Sequence, residues 1–425
     1  MPFDYPPDLA RYVAAHWNQP DRLPPLNRLT EMFSCCYQAS LLTEELRPVL
    51  FRLALVEPID SGLGPPWGHH CLRFAQSRPL TPAALAKLSP TVDMERSVIG
   101  VNLSAEGFEI WGLINSGARW ALSQYDRRLP AQALSNSLAI VVSAPGCLSV
   151  YAGSRLIAHL VGGKISGPSP EVLSSQWLEQ VFLKVRYELE DLHIAACADC
   201  PPVQIDVKIT RSLSQSALRQ ALNLLRKWGH GGSLLIIPAE QSPLFELPNP
   251  YLHIHHRFVD SQSRRIYRAL LTQLMRRLGE LFPESDRVSW EDYRASQDTQ
   301  LSELDEAFEE FSYTLAGLLA MDGAVLMTQR LELLAFGVEI AGSLPAVDEV
   351  EVALDIEAAE TRREPTMGVG TRHRSVYRLC AQLPWMLAMV QSQDGRIRMV
   401  KQHNGKVTYW DQFGVGTGIP TNLEA

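Results

Sequence analysis

The apolar positions change their period along the chain, and each change marks an expected element. Residues 1 to about 60 read as helical. Tyr12, Val13, His16 and Trp17 form a first helical face, Leu26 to Leu42 a second, and a third segment begins at Thr43. There Thr43 precedes Glu44 and Glu45 as an N-cap would, with carboxylates where the helix dipole favours them. A Pro/Gly cluster around Gly62 to Gly68 breaks the pattern. Beyond it the apolar runs shorten and read as strands: Ser97 to Leu103, Phe108 to Ile114, Leu138 to Ser143 and Leu148 to Ala152. The last two are separated by Ala144-Pro-Gly-Cys147, a hairpin turn. The first part of the chain is therefore expected to be mixed α+β.

Gly162 to Pro170 has the composition of a linker, and Glu171 to Leu192 reads as a connecting helix. A boundary is placed near residue 200, just before Pro201-Pro202. The second half opens with a helix, Ser214 to Trp228, in which Leu218, Leu222 and Leu225 recur at helical spacing. Gly229 to Gly232 ends it, and the wholly apolar run from Ser233 to Ile237 reads as a central strand. A helix running into a buried strand is α/β architecture. An arginine-rich helix over Arg264 to Leu278 and an amphipathic one over Leu301 to Leu319 follow. Strands are then expected at Val325 to Thr328 and Leu331 to Ile340, with a final hairpin of Trp385 to Val390 and Ile397 to Val400 around Gln393-Asp-Gly395. The expected organisation is a domain over 1–200 and an α/β domain over 205–425. The latter has a central mixed sheet flanked by helices and a helical insertion at about 239–300.

Length agrees with two domains, since 425 residues exceed what one core usually serves. The formal net charge of −8 disfavours a protein that grips the backbone of DNA or RNA, although a local cluster of cations still suits a small anion. No run approaches a membrane span, and the first residues lack a basic region followed by an apolar core, so a cytoplasmic chain without membrane insertion is expected. The cysteines lack a disulfide-framework spacing. His193 with Cys197 and Cys200, and His69, His70 and Cys71, each offer part of a metal shell that nothing completes. His253 and His255 share one face of a strand and are read as packing residues. The arginines at 264, 265, 268, 276 and 277 are read as a solvated helix face, because Ile266, Leu270, Leu274 and Leu278 supply an ordinary core side.

Two short motifs carry chemistry. Met321-Asp-Gly-Ala324 leads straight into an apolar strand, which leaves Asp322 at a helix-to-strand junction near solvent. Downstream, Gly370-Thr-Arg-His-Arg374 brings glycine, a hydroxyl and two guanidiniums together at the start of a helix, which is how a polyphosphate is cradled. Together, in this order and on these elements, they resemble the diadenylate cyclase family, related to the N-terminal domain of the DNA-integrity scanning protein. Leu225 to Ile237 and Leu334-Ala-Phe-Gly337 resemble further family elements. The resemblance covers roughly 205 to 410.

The resemblance implies a nucleotidyltransferase that condenses two ATP molecules into cyclic di-AMP with release of pyrophosphate. It implies that Asp322 binds the catalytic metal, Mg²⁺ or Mn²⁺, and helps activate the ribose 3′-hydroxyl. Thr371, Arg372, His373 and Arg374, with Gly370, would grip the triphosphate, and Gly323 and Ala324 would leave room for the nucleotide. A two-fold symmetric product implies facing protomers, so self-association is expected. The family's Ser-Glu pair reads here as Gln391-Ser392, which removes a carboxylate expected near the metal; Asp394 lies close by. That departure keeps open a second expectation, a degenerate sensor that binds ATP or a cyclic dinucleotide without turnover. The first 200 residues are expected to be a sensor or regulatory domain.

Overall fold

The computed structural model describes residues 3–411 apart from 19–22, 61–63, 65–68, 95, 118–133, 135–136, 154, 169–170, 197–202 and 393–395. The chain is α/β and divides into two units, one centred on Met1–Ser169, the other on Pro170–Tyr293 with Asp298–Phe413. The division falls earlier than the boundary expected near residue 200, because the connecting helix belongs to the second unit. Glu357 accepts hydrogen bonds from the backbone N–H groups of Gln176 and Trp177, and the Trp177 indole donates to the Ile356 carbonyl.

In the first unit α1 (Pro6–His16) and α2 (Leu26–Ser40) precede two short strands, β1 (Thr43–Glu44) and β2 (Arg47–Pro48). These replace the helix expected from Thr43. Glu45 and Leu46 between them have φ of 49° and 65°, the conformation of a two-residue hairpin turn rather than a helix start. There follow β3 (Phe51–Leu55), β4 (His70–Pro79), α3 (Pro82–Leu88), β5 (Ser97–Leu103), β6 (Phe108–Asn115), β7 (Leu138–Ala144), β8 (Cys147–Ala152), β9 (Arg155–Val161) and β10 (Lys164–Ser166). From β3 onwards they form one sheet in the order β10-β9-β8-β7-β3-β5-β6-β4. Gly162 and Gly163, both at positive φ, close the β9–β10 hairpin, so this part of the expected linker is structured. Val13, Phe33, Phe51, Ile140 and Leu160 sit in the core between helices and sheet, and Trp111, Val98 and Tyr151 in a second cluster.

The second unit begins with α4 (Gln176–Ala196), β11 (Gln204–Ile205) and α5 (Val207–Lys227), whose cap Asp206 accepts from the N–H of Lys208. The central strand β12 (Gly232–Ile237) is buried at every position, as its apolar run predicts. Next come β13 (Leu252–Arg257), α6 (Ile266–Leu281), β14 (Arg287–Val288), α7 (Trp290–Ala295) and α8 (Thr299–Ala320). The stretch expected as a helical insertion thus also supplies β13, which pairs antiparallel with the sheet as an edge strand. The remaining elements are β15 (Ala324–Thr328), β16 (Leu333–Ile340), β17 (Glu349–Ala353), β18 (Thr361–Pro365), α9 (Thr371–Gln382), β19 (Leu387–Gln391), β20 (Ile397–His403) and β21 (Lys406–Trp410). The mixed sheet runs β13-β16-β15-β12-β19-β20-β21-β17-β18. One face carries α9, with Val376, Leu379 and Cys380 against Leu235, Ala324, Ala388 and Val390. Strand alternation turns Met389 to the other face.

Candidate functional site

Asp322 follows Met321, the C-cap of α8, and is exposed, with only Gly323 between it and β15. Its carboxylate accepts from the N–H of Gly323 at 3.1 Å. Gly323 has φ +106°, and a Cβ there would lie 2.8 Å from the carbonyl carbon of Gly337 on β16. The room its missing side chain leaves is therefore taken by the neighbouring strand, which explains this glycine by backbone approach rather than by a nucleotide. Ala324 is buried.

Gly370 caps α9, and the N–H groups before Arg374 have no intrahelical acceptor by geometry; that of Arg374 is the first to find one, the Gly370 carbonyl at 3.2 Å. Thr371 is exposed and Arg372 half-buried, whereas His373 is buried with its ring centroid 6.4 Å from that of Tyr377. Arg374 is half-buried, and its Nε is buried without a hydrogen-bond partner. Neither Arg372 nor Arg374 has a carboxylate partner among the described residues. The other arginines singled out from the sequence differ. Arg264 donates to Glu332 at 2.6 Å, Arg265 bonds Asp260, and Arg277 clasps Asp298 at 2.6 Å, so that cluster is largely neutralised within the unit.

Sheet register connects the two motifs. Ala324 pairs with Ser233, Ser233 with Val390 and Val390 with Arg398, one row across four strands. Arg398 Nη1 donates to the Tyr377 hydroxyl at 3.0 Å, which anchors α9 nearly two turns after its start at that same row. From there α9 runs towards Leu387, which pairs with Ile236 at the far end of β12. Asp322 and the Arg372–Arg374 turn thus lie at one end of the sheet. Three strand spacings, about 14 Å, separate the outer members of the row.

The anchor is a buried polar network that the motifs alone do not announce. Arg398 also donates to Asp411 at 2.9 Å and stacks its guanidinium 4.2 Å from the Tyr409 ring; Tyr409 in turn donates to Glu364 at 2.9 Å. Burial opposes the Arg398 charge, but Tyr377, Asp411 and Tyr409 outweigh it and hold its pKa above the ordinary value. Burial pushes the Tyr377 hydroxyl up to about 12. A charged residue amid the apolar β20 run was the one available sequence signal.

Gln391 is fully buried, and its Nε2 donates to the His230 carbonyl at 3.2 Å, while Ser392 bonds Arg396 across the turn. Neither supplies a carboxylate, and Asp394 lies outside the described residues. Among the described residues no group of three His, Cys, Asp or Glu side chains forms a metal cage. Mg²⁺ and Mn²⁺ do not require one: such ions keep waters and take one or two carboxylates with substrate phosphates, so Asp322 fits as a lone protein ligand. His193 bonds the Val203 carbonyl, and Cys197 and Cys200 lie outside the described residues. His253 and His255 are exposed rather than packed, His255 lying 3.1 Å from Glu339. His69 is buried, which lowers its pKa, while His70 is exposed.

No helix among the described residues is long and apolar enough to cross a membrane. No curated protein and no solved structure matches the chain. Residues 18–115, from just before α2 through β6 of the first unit, match the family model of the probable sensor domain DACNV.

Proposed function

We propose that the second unit is a diadenylate cyclase, condensing two ATP molecules into cyclic di-AMP and two pyrophosphates, under the control of the first unit as sensor. The observation that carries the reading is a pair of guanidiniums, Arg372 and Arg374, with no carboxylate partner among the described residues, at a helix N-terminus on the same sheet end as Asp322. A partly buried cation pair without a described carboxylate partner, at the first turn of a helix, is costly unless an anion visits, and a triphosphate supplies one.

In this reading the Thr371 and Arg372 turn and both guanidiniums hold the phosphates, with the α-phosphorus turned outward. The bond formed joins a ribose 3′-oxygen of one ATP to the α-phosphorus of the other; the bond broken releases pyrophosphate. Asp322 accepts or orients the hydroxyl proton, and catalysis is mostly positioning and charge neutralisation. Mg²⁺ or Mn²⁺, when bound, neutralises the phosphates and lowers the pKa of the hydroxyl. His373, buried beside Tyr377, shapes the turn from behind. Two protomers have to face each other, each presenting one ATP.

The buried Gln391 favours a second reading, a nucleotide-binding sensor that has lost turnover with a missing carboxylate. Incubation with ATP and either ion separates the two, with binding and product measured in parallel. Product from the wild type that Asp322→Asn abolishes supports the cyclase. Binding that needs Arg372 and Arg374, without product, supports the sensor.

A further inference from the structure

α4 carries an apolar stripe of Leu178, Phe182, Val185 and Leu189 at helical spacing. These side chains roof a cavity of about 130 Å³ whose opposite wall includes Leu218 of α5, Leu271 of α6 and Met389 of β19. Met389 faces away from α9, and the turn at Gln329 to Leu331 that borders the cavity follows the end of β15 remote from Asp322. The cavity is therefore separate from the end of the sheet that bears Asp322, Arg372 and Arg374.

Several of its polar wall groups already have partners. Gln215 Nε2 donates to the Leu173 carbonyl at 2.6 Å, and Ser214 donates to the Thr210 carbonyl while accepting from the Tyr267 hydroxyl. The apolar interior between Leu178, Phe182, Leu218 and Met389 suits a hydrocarbon ring better than a sugar. The bordering charges are unequal. Arg186 and Arg211 share one carboxylate, Glu179, at 3.1 and 3.7 Å. Arg330 and Arg268 likewise share Glu188, at 2.6 and 3.7 Å. Each trio leaves one positive charge, and apolar cavities of about 150 Å³ accept a benzene-sized body.

We infer that this cavity binds a single-ring aromatic monocarboxylate, its ring against Leu178, Phe182 and Leu218 and its carboxylate towards Arg186 and Arg211. The test is calorimetric titration of the full chain with phenylacetate, with benzyl alcohol as the neutral probe. Arg211→Ala alters a half-exposed position outside the core, and Leu218→Trp fills the cavity. The expected result is saturable phenylacetate binding, weaker by about tenfold for benzyl alcohol and for Arg211→Ala, and lost in Leu218→Trp. Absence of saturable phenylacetate binding to the wild type at millimolar concentration overturns the inference. So does an Arg211→Ala variant that melts like the wild type and binds equally well. Binding is read directly, so either outcome is independent of ATP turnover.

Discussion

Arg372 and Arg374 have no carboxylate partner among the described residues, and the consequences can be measured one residue at a time. Replacing both with alanine removes the two proposed phosphate contacts without opening the core, so product should fall by at least about a hundredfold while the melting temperature stays close to that of the wild type. Gly323 behaves in the opposite way. Its φ of +106° and the 2.8 Å approach of Gly337 leave no place for a methyl group, so Gly323→Ala should cost about 2–3 kcal/mol in chemical denaturation. Asp322 and the arginines were legible because their residue types at a helix-to-strand and a loop-to-helix junction have few structural alternatives. The structural reason for Gly323 was not legible, since it depends on a strand that pairs across a bulge.

At the scale of elements, α9 is held by side chains far from its motif in sequence. Arg398→Met breaks the bonds to Tyr377 and Asp411 and leaves Asp411 without its cation, a loss of about 3 kcal/mol by urea denaturation. It should also lower product formation, because the Arg372–Arg374 turn loses its footing. The docking of α4 has a pH signature. A hydrogen bond from Arg330 holds the Glu188 carboxyl below its ordinary range. A depressed folded pKa stabilises above the unfolded value and is lost as pH falls through the folded one, so the second unit should weaken in acid, less steeply in Arg330→Gln. In the first unit burial lowers His159 to about 4 from 6.5. Between those values the unfolded chain takes up a proton that the folded chain refuses. Stability should therefore decrease as pH falls from about 6.5 to about 4, and His159→Gln should flatten that slope.

About half of the strands of the two sheets could be read from apolar period alone, and the all-buried β12 and the one-sided α8 were explicit in the sequence. By contrast, β3 lies in a stretch read as helical, and β4, β9, β10, β17, β18 and β21 carried no expected strand. The β1–β2 hairpin was not, because Glu45-Leu46 is an unusual pair for two positive φ angles and Thr43-Glu44-Glu45 imitates a helix cap. β13 was missed because an edge strand exposing His253, His255 and His256 lacks a buried alternation.

For the whole molecule, the proposed symmetric product would require two sites to meet, so specific activity should rise with protein concentration until self-association is saturated. The match of residues 18–115 to the model of a probable sensor domain agrees with the regulatory role proposed for the first unit. The most direct test of the central claim is chromatography with mass detection on full-length protein incubated with ATP and Mg²⁺ or Mn²⁺, at high protein concentration, beside the Arg372→Ala/Arg374→Ala variant. The account predicts cyclic di-AMP from the wild type and at least about a hundredfold less from the variant. A folded, self-associated wild type that saturates with ATP and yields no cyclic dinucleotide would contradict it.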